Sequence, residues 1–321
     1  MQDLNYPWLI NIKKQLGKMV QSKKIPHALL LVGQEGLGKQ ALANTLAQRL
    51  LCLSPNDNGA CGICTACHLY QQQHHPDYRS LGDNANISID DIREIIDFLA
   101  KASHQSANRV VVITADHLTV NCANALLKIL EEPPNQTYFI LIAKQLSAIL
   151  PTIRSRCFIV NVSVPSVQDA ITWLKQQRPE ESLDKLIWQL KVAGGAPLKA
   201  QNIAPQALEQ SLNMLERLLY AENLLICYQE EAQNWLLSDT TDALYLLYYW
   251  LTELIRYVTT GVTVFSDRTE RFTQLAHLSA KSLFAFMNHV LDAIQVLNAS
   301  GVNKQLLLEA LFYEWHALRS S

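Results

Sequence analysis

Apolar residues follow two different patterns in the two halves of the chain. In the first half, short apolar runs alternate with stretches whose apolar residues have helical spacing. A short β-branched run between such stretches is typical of a buried strand in a parallel sheet. The alternation predicts an α/β domain over residues 1–165, a parallel sheet with helices on both faces. The predicted strands are 27–32, 109–114 and 138–143, with another after residue 153, and the predicted helices are 8–22, 39–51, 88–102 and 120–132.

The pattern changes after Pro165. Residues 166–205 contain short helical stretches interrupted by the Gly-Gly-Ala-Pro break at 194–197, which indicates a small helical domain. From 206 to 321 the apolar residues repeat with a period of 3.6 and no strand pattern competes, so this part should be all-helical. We therefore expect three domains, 1–165, 166–205 and 206–321.

Composition and charge narrow the function. Hydrophobic residues make up 49% of the 321 residues and charged residues only 17%, which favours a chain that buries surfaces against partners. The net charge of −2 means that the chain lacks the overall positive charge typical of proteins that bind nucleic acid. The chain has neither a signal-peptide pattern nor an apolar run of membrane-spanning length. We expect a cytoplasmic protein without membrane contact, and its thiols reduced.

Four cysteines form the strongest local signal. Cys52, Cys61, Cys64 and Cys67 have the spacing C-x8-C-x2-C-x2-C within residues 52–67. Tetrahedral Zn²⁺ takes four thiolates, and a C-x2-C turn aims two sulfurs at one ion, so the spacing predicts a structural zinc site in an insertion of the α/β domain. The alternative is four unrelated cysteines. The segment lacks the flanking basic cluster of a zinc ribbon that reads nucleic acid.

One weaker candidate for metal binding, and three further cysteines, lie outside this insertion. The His-His-Pro-Asp segment at 74–77 is interpreted as a loop that enters a strand, with Pro76 fixing the turn, rather than as another metal site. Cys122, Cys157 and Cys227 are scattered along the chain, and we interpret them as packing residues.

Residues 29–40, LLLVGQEGLGKQ, contain a phosphate-loop pattern without its last member. The pattern G-x-x-x-x-G-K-[ST] is matched by Gly33, Gly38 and Lys39, with Gly36 between them, but Gln40 stands where a hydroxyl would bind Mg²⁺. An apolar run precedes the loop and helical spacing follows it, as a phosphate loop requires. The sequence therefore predicts descent from a nucleotide site, and it leaves present binding of ATP or ADP open.

Hydrolysis also requires carboxylates at the tip of a second strand, where Asp binds Mg²⁺ and Glu orients the attacking water. The candidate strand RVVVIT ends at Thr114 and is followed by Ala115, so no acidic pair lies at its tip. Asp116 comes too late in the sequence and is expected to cap the following turn. We therefore expect no useful rate of ATP hydrolysis by this chain.

The segment Ser155-Arg156-Cys157 follows a predicted buried strand and a short helix. An arginine at the end of a helix beside a subunit face can stabilise transition-state charge on a neighbour's ATP, as an arginine finger does. From the residues alone, the alternative is a solvated surface arginine.

Several motifs in a fixed order resemble one family. The segments PHALLLVG, the cysteine insertion, HPDY, ANALLKILEEPP and IRSRC follow one another along the chain. In this order they resemble the delta-prime subunits of the bacterial DNA polymerase III clamp loader, within the AAA+ family. The resemblance is strong over residues 1–165 and extends over 166–321 by architecture and length. The degraded nucleotide motifs separate the chain from the ATP-hydrolysing gamma/tau subunits, which it otherwise resembles.

The resemblance implies an AAA+ domain with a zinc module, a helical lid and a helical collar. It implies a place in a five-membered ring with delta and gamma/tau subunits, which loads the sliding clamp onto primer–template DNA. In that ring Arg156, within its Ser155–Cys157 motif, would serve an adjacent gamma/tau ATP site. The alternative is a gamma/tau-like subunit that itself hydrolyses ATP.

Other positions are compared through the same resemblance. Ala143 stands at the strand end where active relatives carry a polar residue. Residues 194–199 lack the arginine that active relatives carry after the glycine turn. Lys128 matches a basic position near the region that couples ATP sites to DNA. Both departures remove γ-phosphate contacts, which agrees with the absence of hydrolysis.

Overall fold

In the computed structural model, the chain divides into two compact units, Met1–Asp169 and Ala170–Ser321. Cys227 lies outside the described residues, as do the ends of the predicted stretches that run past residues 100 and 220. The structure describes residues 6–57, 59–82, 87–100, 106–203, 205–220, 240–263, 268–297 and 302–320.

The first unit contains a five-stranded parallel sheet, as the alternation of strands and helices predicts. The strands are β1 (Ala28–Val32), β2 (Tyr78–Leu81), β3 (Arg109–Thr114), β4 (Thr137–Ala143) and β5 (Phe158–Asn161). Their order in the sheet is β2-β3-β4-β1-β5, and each neighbouring pair is parallel. The glycine loop leaves the carboxyl end of a central strand, so its position follows directly from this order.

The central strands are buried on both faces. Alternate residues of β1, β3 and β4 pack in one cluster with α4 and α5, and α2 contacts the same strands on the opposite face. A strand buried on both sides must be apolar, which explains the unbroken run ALLLV and the VVVI centre of RVVVIT. The helices are α1 (Ile10–Gln21), α2 (Lys39–Leu51), α3 (Thr65–Gln71), α4 (Ile89–Ala100), α5 (Val120–Glu131) and α6 (Pro151–Arg154).

Helix α4 begins with a reciprocal cap. The hydroxyl of Ser88 accepts the backbone N–H of Asp91 at 3.2 Å, and the Asp91 carboxylate accepts the Ser88 N–H at 2.7 Å. These bonds satisfy donors that the first turn of a helix leaves unpaired. They also lower the pKa of the Asp91 carboxyl, through its hydrogen bonds with the Ser88 hydroxyl and backbone.

The described part of the second unit is helical, as predicted. Its core contains Trp250, which stacks on Phe272 with ring centroids 5.1 Å apart and meets Trp315 edge-on. Trp188, from the segment predicted to be the lid, lies in the same apolar cluster. The predicted boundaries at 165 and 205 remain predictions. The helices are Val167–Gln177, Leu183–Val192, Pro197–Asn202, Pro205–Tyr220, Thr240–Thr260, Thr269–Gln274, Ala280–Leu297 and Lys304–Ser320.

Within the described residues, no helix is both long enough and apolar enough to cross a bilayer.

Candidate metal centre, nucleotide loop and arginine site

The four predicted cysteine ligands converge. The Sγ atoms of Cys52, Cys61, Cys64 and Cys67 all lie within 4.8 Å of one another, and all four thiols are free of disulfides. Cys52 and Cys64 sulfurs are 3.9 Å apart, and those of Cys61 and Cys67 are 4.0 Å apart. Four thiolates about 2.3 Å from a tetrahedral Zn²⁺ would be about 3.8 Å from one another. The cluster can therefore hold a metal ion, and its size fits zinc.

Local backbone structure brings these cysteines together. Cys52 directly follows the last turn of α2, and a tight turn closed between Asn56 and Gly59 reverses the chain. Cys64 caps α3, where its Sγ accepts the backbone N–H of Cys67 at 3.4 Å. The arrangement explains the short sequence separation of the ligands, since each pair spans one turn or one helix start.

The thiols are electrostatically unequal before any metal binds. Burial raises the pKa of Cys64, but hydrogen bonds from the backbone of Leu53 and Cys67 and from neighbouring thiols outweigh it and lower the pKa to about 6. Burial and the Cys64 thiol raise the pKa of Cys67. Binding of a metal ion would displace the protons that remain on the four thiols.

The segment 74–77 forms a loop that enters β2, as predicted. His75 and Asp77 are buried, and Asp77 accepts the backbone N–H of Ser106 at 2.8 Å. The Ser106 hydroxyl donates to Leu51 O at 2.8 Å and lies 3.2 Å from His75 Nε2. Burial lowers the pKa of His75, which outweighs the effect of Asp77. Ser106 belongs to no recognisable motif and is distant in the chain, so sequence reasoning missed it. The network joins the loop before β2, the segment around Ser106 and the last residue of α2, and it has a structural role.

The glycine loop has the geometry of a phosphate loop. A Cβ on Gly33 would lie 2.3 Å from the carbonyl oxygen of Val162, so only glycine fits there. Gly38 has φ +84° and begins α2, and a Cβ on it would lie 2.8 Å from the Tyr6 ring. Trp8 stacks on Tyr6 and donates from its indole nitrogen to Leu37 O at 2.9 Å. Residues before α1 therefore pack onto the loop, a feature that the motif does not reveal.

Lys39 is directed at the carbonyl groups of its own loop. Its ammonium donates to Gly33 O and, at 2.8 Å, to Gln34 O, and the side chain is buried. Burial lowers the pKa of Lys39, and the charges of Asp116 and Glu35 act in the opposite direction. The cation that a phosphate loop offers to a nucleotide is thus engaged within the chain.

The prediction that Asp116 caps the following turn is wrong. The Asp116 carboxylate instead accepts the backbone N–H of Lys144 with both oxygens, at 3.0 and 2.9 Å. The α5 helix is capped by Thr119. The side chain of Lys144 forms an ion pair with Glu35 at 2.7 Å, so the tip of β4 and the glycine loop are bridged. The Lys144 N–H lies directly after the end of β4 and donates to the Asp116 carboxylate, so this carboxylate bonds to the β4 tip instead of the turn that follows it.

Arg156 is partly exposed, with 30% of its side chain accessible, and it is held by in-chain acceptors. Its Nε donates to Glu131 Oε1 at 2.8 Å, and its Nη2 contacts the same oxygen. Nη1 donates to Thr152 O at 2.7 Å and to Ser155 Oγ at 3.2 Å. Burial raises the pKa of Cys157 to about 11, in keeping with a packing role. The motif therefore presents an oriented guanidinium.

The remaining positions predicted by resemblance are all described. Lys128 is exposed on α5, Ala143 is buried at the end of β4, and the glycine turn at 194–195 precedes the helix Pro197–Asn202. These placements fit the predicted positions in the chain, and the roles remain predictions.

Comparisons with known proteins agree over nearly the whole chain. The model of a family described as "DNA polymerase III, delta subunit" matches residues 9–166, and one described as "DNA polymerase III, delta subunit, C terminal" matches residues 205–317. The two matches cover the α/β domain and the helical C-terminal part.

Individual relatives give the same result. The chain is 34% identical to the DNA polymerase III subunit delta' of Pseudomonas aeruginosa, over 98% of both chains. It is 32% identical to that of Escherichia coli, over 95% of this chain and 93% of the relative. A DNA polymerase III subunit gamma from Buchnera aphidicola is 31% identical over only 59% of this chain. The chain therefore belongs to the family of delta-prime subunits of the DNA polymerase III clamp loader.

Proposed function

We propose that this chain is a non-hydrolysing member of the clamp-loader ring that supplies Arg156 to the ATP site of a neighbouring gamma/tau subunit. The observation that carries the proposal is the contrast between two cations. Lys39, in the chain's own nucleotide loop, is buried and bonded to loop carbonyls. Arg156 is partly exposed and oriented by its neighbours. Of these two cations, the one accessible at the surface is Arg156, and Lys39 is buried in the chain's own loop.

The absence of hydrolysis is supported by what replaces the Mg²⁺ ligands. Gln40 occupies the position of the hydroxyl, and Ala115 follows the tip of β3 where a carboxylate is required. Asp116 comes directly after Ala115, and its two carboxylate oxygens accept the Lys144 N–H. Water activation and Mg²⁺ binding would each need this network to break.

The trans role of Arg156 is supported by its geometry. An arginine finger stabilises charge on the transferred phosphoryl group and is worth 10³–10⁵ in kcat at the site that it serves. A guanidinium held in one rotamer loses less entropy on engaging a phosphate than a free side chain does. Arg156 lies after α6, and the acceptors at Thr152 and Ser155 fix it from the same short segment.

The cysteine cluster is proposed to bind one structural zinc ion per chain. Four thiolates close the coordination shell, so the ion would carry no substrate and would supply folding energy to the insertion. Cys52 and Cys67 are buried and the other two cysteines partly so, which gives the ion limited access to water.

Ring formation is proposed to use the helical C-terminal part, with delta and gamma/tau subunits as neighbours. Apolar side chains remain exposed on its described helices, among them Phe284 at 49%, Leu306 at 66% and Tyr313 at 71%. Large exposed apolar side chains favour protein interfaces. The assembled ring would act on the sliding clamp and on primer–template DNA, and this chain would contact them as part of the complex.

The alternative is a gamma/tau-like subunit that hydrolyses ATP, which the retained Lys39 and loop geometry favour. Steady-state ATP turnover of the pure, isolated chain separates the two functions. We expect no turnover above background with Mg²⁺ and saturating ATP. Robust turnover that Lys39→Ala abolishes would instead establish the alternative.

The trans role is tested in a complex reconstituted with delta and gamma/tau subunits. Arg156→Ala should leave assembly intact and remove the contribution of the served site to clamp- and DNA-stimulated ATP turnover. Arg154→Ala is the matched control, because it removes an arginine two positions earlier in the same segment. Equal turnover in all three complexes would reject the finger assignment.

A further inference from the structure

Glu131 is the acidic partner of Arg156 and comes from a different element. It is the last residue of α5, and its carboxylate contacts both Nε and Nη2 of the guanidinium. The Glu131 side chain is 48% exposed, so the pair lies at the surface. A surface ion pair contributes little to folding stability. The main physical effect of this pair is therefore to orient the guanidinium.

The in-chain bonds fix the orientation of the guanidinium from two sides. Thr152 O and Ser155 Oγ accept from Nη1, and Glu131 accepts along the edge formed by Nε and Nη2. The acceptors on the Nη1 side belong to the same local segment as Arg156 and move with it. Among the acceptors that the structure describes, Glu131 is the one that ties the guanidinium to a distant part of the sequence.

The end of α5 is a rigid support for this contact. Leu130 is buried, and its carbonyl oxygen lies 3.0 Å from His27 Nε2, just before β1. Pro133 and Pro134 follow the helix and restrict the backbone beyond Glu131. A carboxylate at this position is held relative to the central sheet. The Arg156 guanidinium, which is bonded to this carboxylate, is therefore also held relative to the sheet.

We propose that Glu131 is a positioning residue for the arginine finger, which holds the Arg156 guanidinium in the orientation that a neighbour's phosphate requires. This inference rests on the proposed trans function of Arg156. Immobilising a long side chain before it binds removes an entropic cost that would otherwise be met in the complex. Loss of the contact should therefore lower the rate at the served ATP site without changing the fold.

The test compares variants of this chain in the reconstituted complex with delta and gamma/tau subunits. Glu131→Ala should lower the kcat of the served site about 2- to 12-fold, the factor expected for one immobilised side chain. Glu131→Gln keeps an oxygen that accepts from Nε and should retain most of the rate. Glu132→Ala, the same change of charge one position later, should leave the rate unchanged. The KM for ATP should stay constant because the neighbour binds the nucleotide.

Each outcome separates the inference from the function on which it rests. If Arg156→Ala lowers turnover and Glu131→Ala does not, the positioning role is rejected and the finger stands. A higher rate in Glu131→Ala also rejects it, since the carboxylate would then restrain the finger. If Arg156→Ala itself has no effect, the proposed function fails and the inference fails with it. The melting temperature of the isolated Glu131→Ala chain should match that of the wild type.

Discussion

Replacing Lys39 distinguishes a structural lysine from a catalytic one. In an active phosphate loop the lysine meets the terminal phosphates of the nucleotide, and its loss abolishes ATP chemistry. Here the Lys39 ammonium donates to Gly33 O and Gln34 O, and only 7% of the residue is exposed. We therefore predict that Lys39→Ala destabilises the first unit and leaves ATP turnover of the assembled complex unchanged.

The size of the effect follows from the groups that are lost. Removing the three carbons beyond Cβ costs about 2 kcal/mol at about 0.8 kcal/mol for each buried methylene. Each bond from the ammonium is worth about 1.5–3 kcal/mol, but much of this is offset by the cost of burying the charge. A net loss of about 2–4 kcal/mol lowers the melting temperature by roughly 5–15 °C in a unit of this size.

The assay is thermal unfolding of the isolated chain together with ATP turnover of the complex. Lys39→Met keeps most of the buried stem and should show about half of the shift, which isolates the contribution of the hydrogen bonds. Lys24→Ala removes an exposed lysine and should leave the melting temperature unchanged. A Lys39→Ala chain with an unaltered melting temperature and lost complex turnover would refute the structural role.

Three further predictions address the metal, a buried histidine and the helical core. Elemental analysis should find about one zinc ion per chain. Cys64→Ser should lose the zinc and several kilocalories per mole of unfolding free energy. Cys122→Ser, which replaces a cysteine outside the cluster, should retain the zinc. Burial holds the pKa of His75 below its ordinary value of about 6.5, so the folded state resists protonation of this side chain. The free energy of unfolding, measured by urea titration, should therefore fall as the pH drops below about 6.5, and it should fall less steeply in His75→Gln. Trp250→Ala should cost about 3–5 kcal/mol by denaturant titration, because the fully buried ring stacks on Phe272, and a smaller cost would contradict that packing.

The sequence predicted most of the first unit because its elements are short and locally encoded. Unbroken apolar runs between helical stretches are found as β1, β3 and β4, and the cysteine spacing predicted a cluster that needs only one turn and one helix start. At the start of α4, Asp91 closes the cap with Ser88, while the neighbouring Asp90 pairs with Arg93. Both carboxylates lie in the same helical turn, so residue spacing alone does not show which of them bonds to Ser88.

Contacts between distant parts of the chain could not be read in this way. The bonds from Lys39 to its own loop, the Asp116–Lys144 bond and the Glu131–Arg156 pair depend on how the sheet brings loop ends together. The motif gave the type of each site residue and left its partner undetermined. The hydrogen-bond partner distinguishes a lysine that binds phosphate from a lysine that stabilises its own loop.

The central claim is that this chain acts on ATP only through its neighbour. It is tested most directly by ATP turnover of reconstituted complexes in which this chain alone carries either Arg156→Ala or Lys39→Met. We predict that Arg156→Ala removes the served site's share of turnover, while Lys39→Met turns over ATP at the wild-type rate. The opposite pattern, with turnover lost on Lys39→Met and kept on Arg156→Ala, would contradict it.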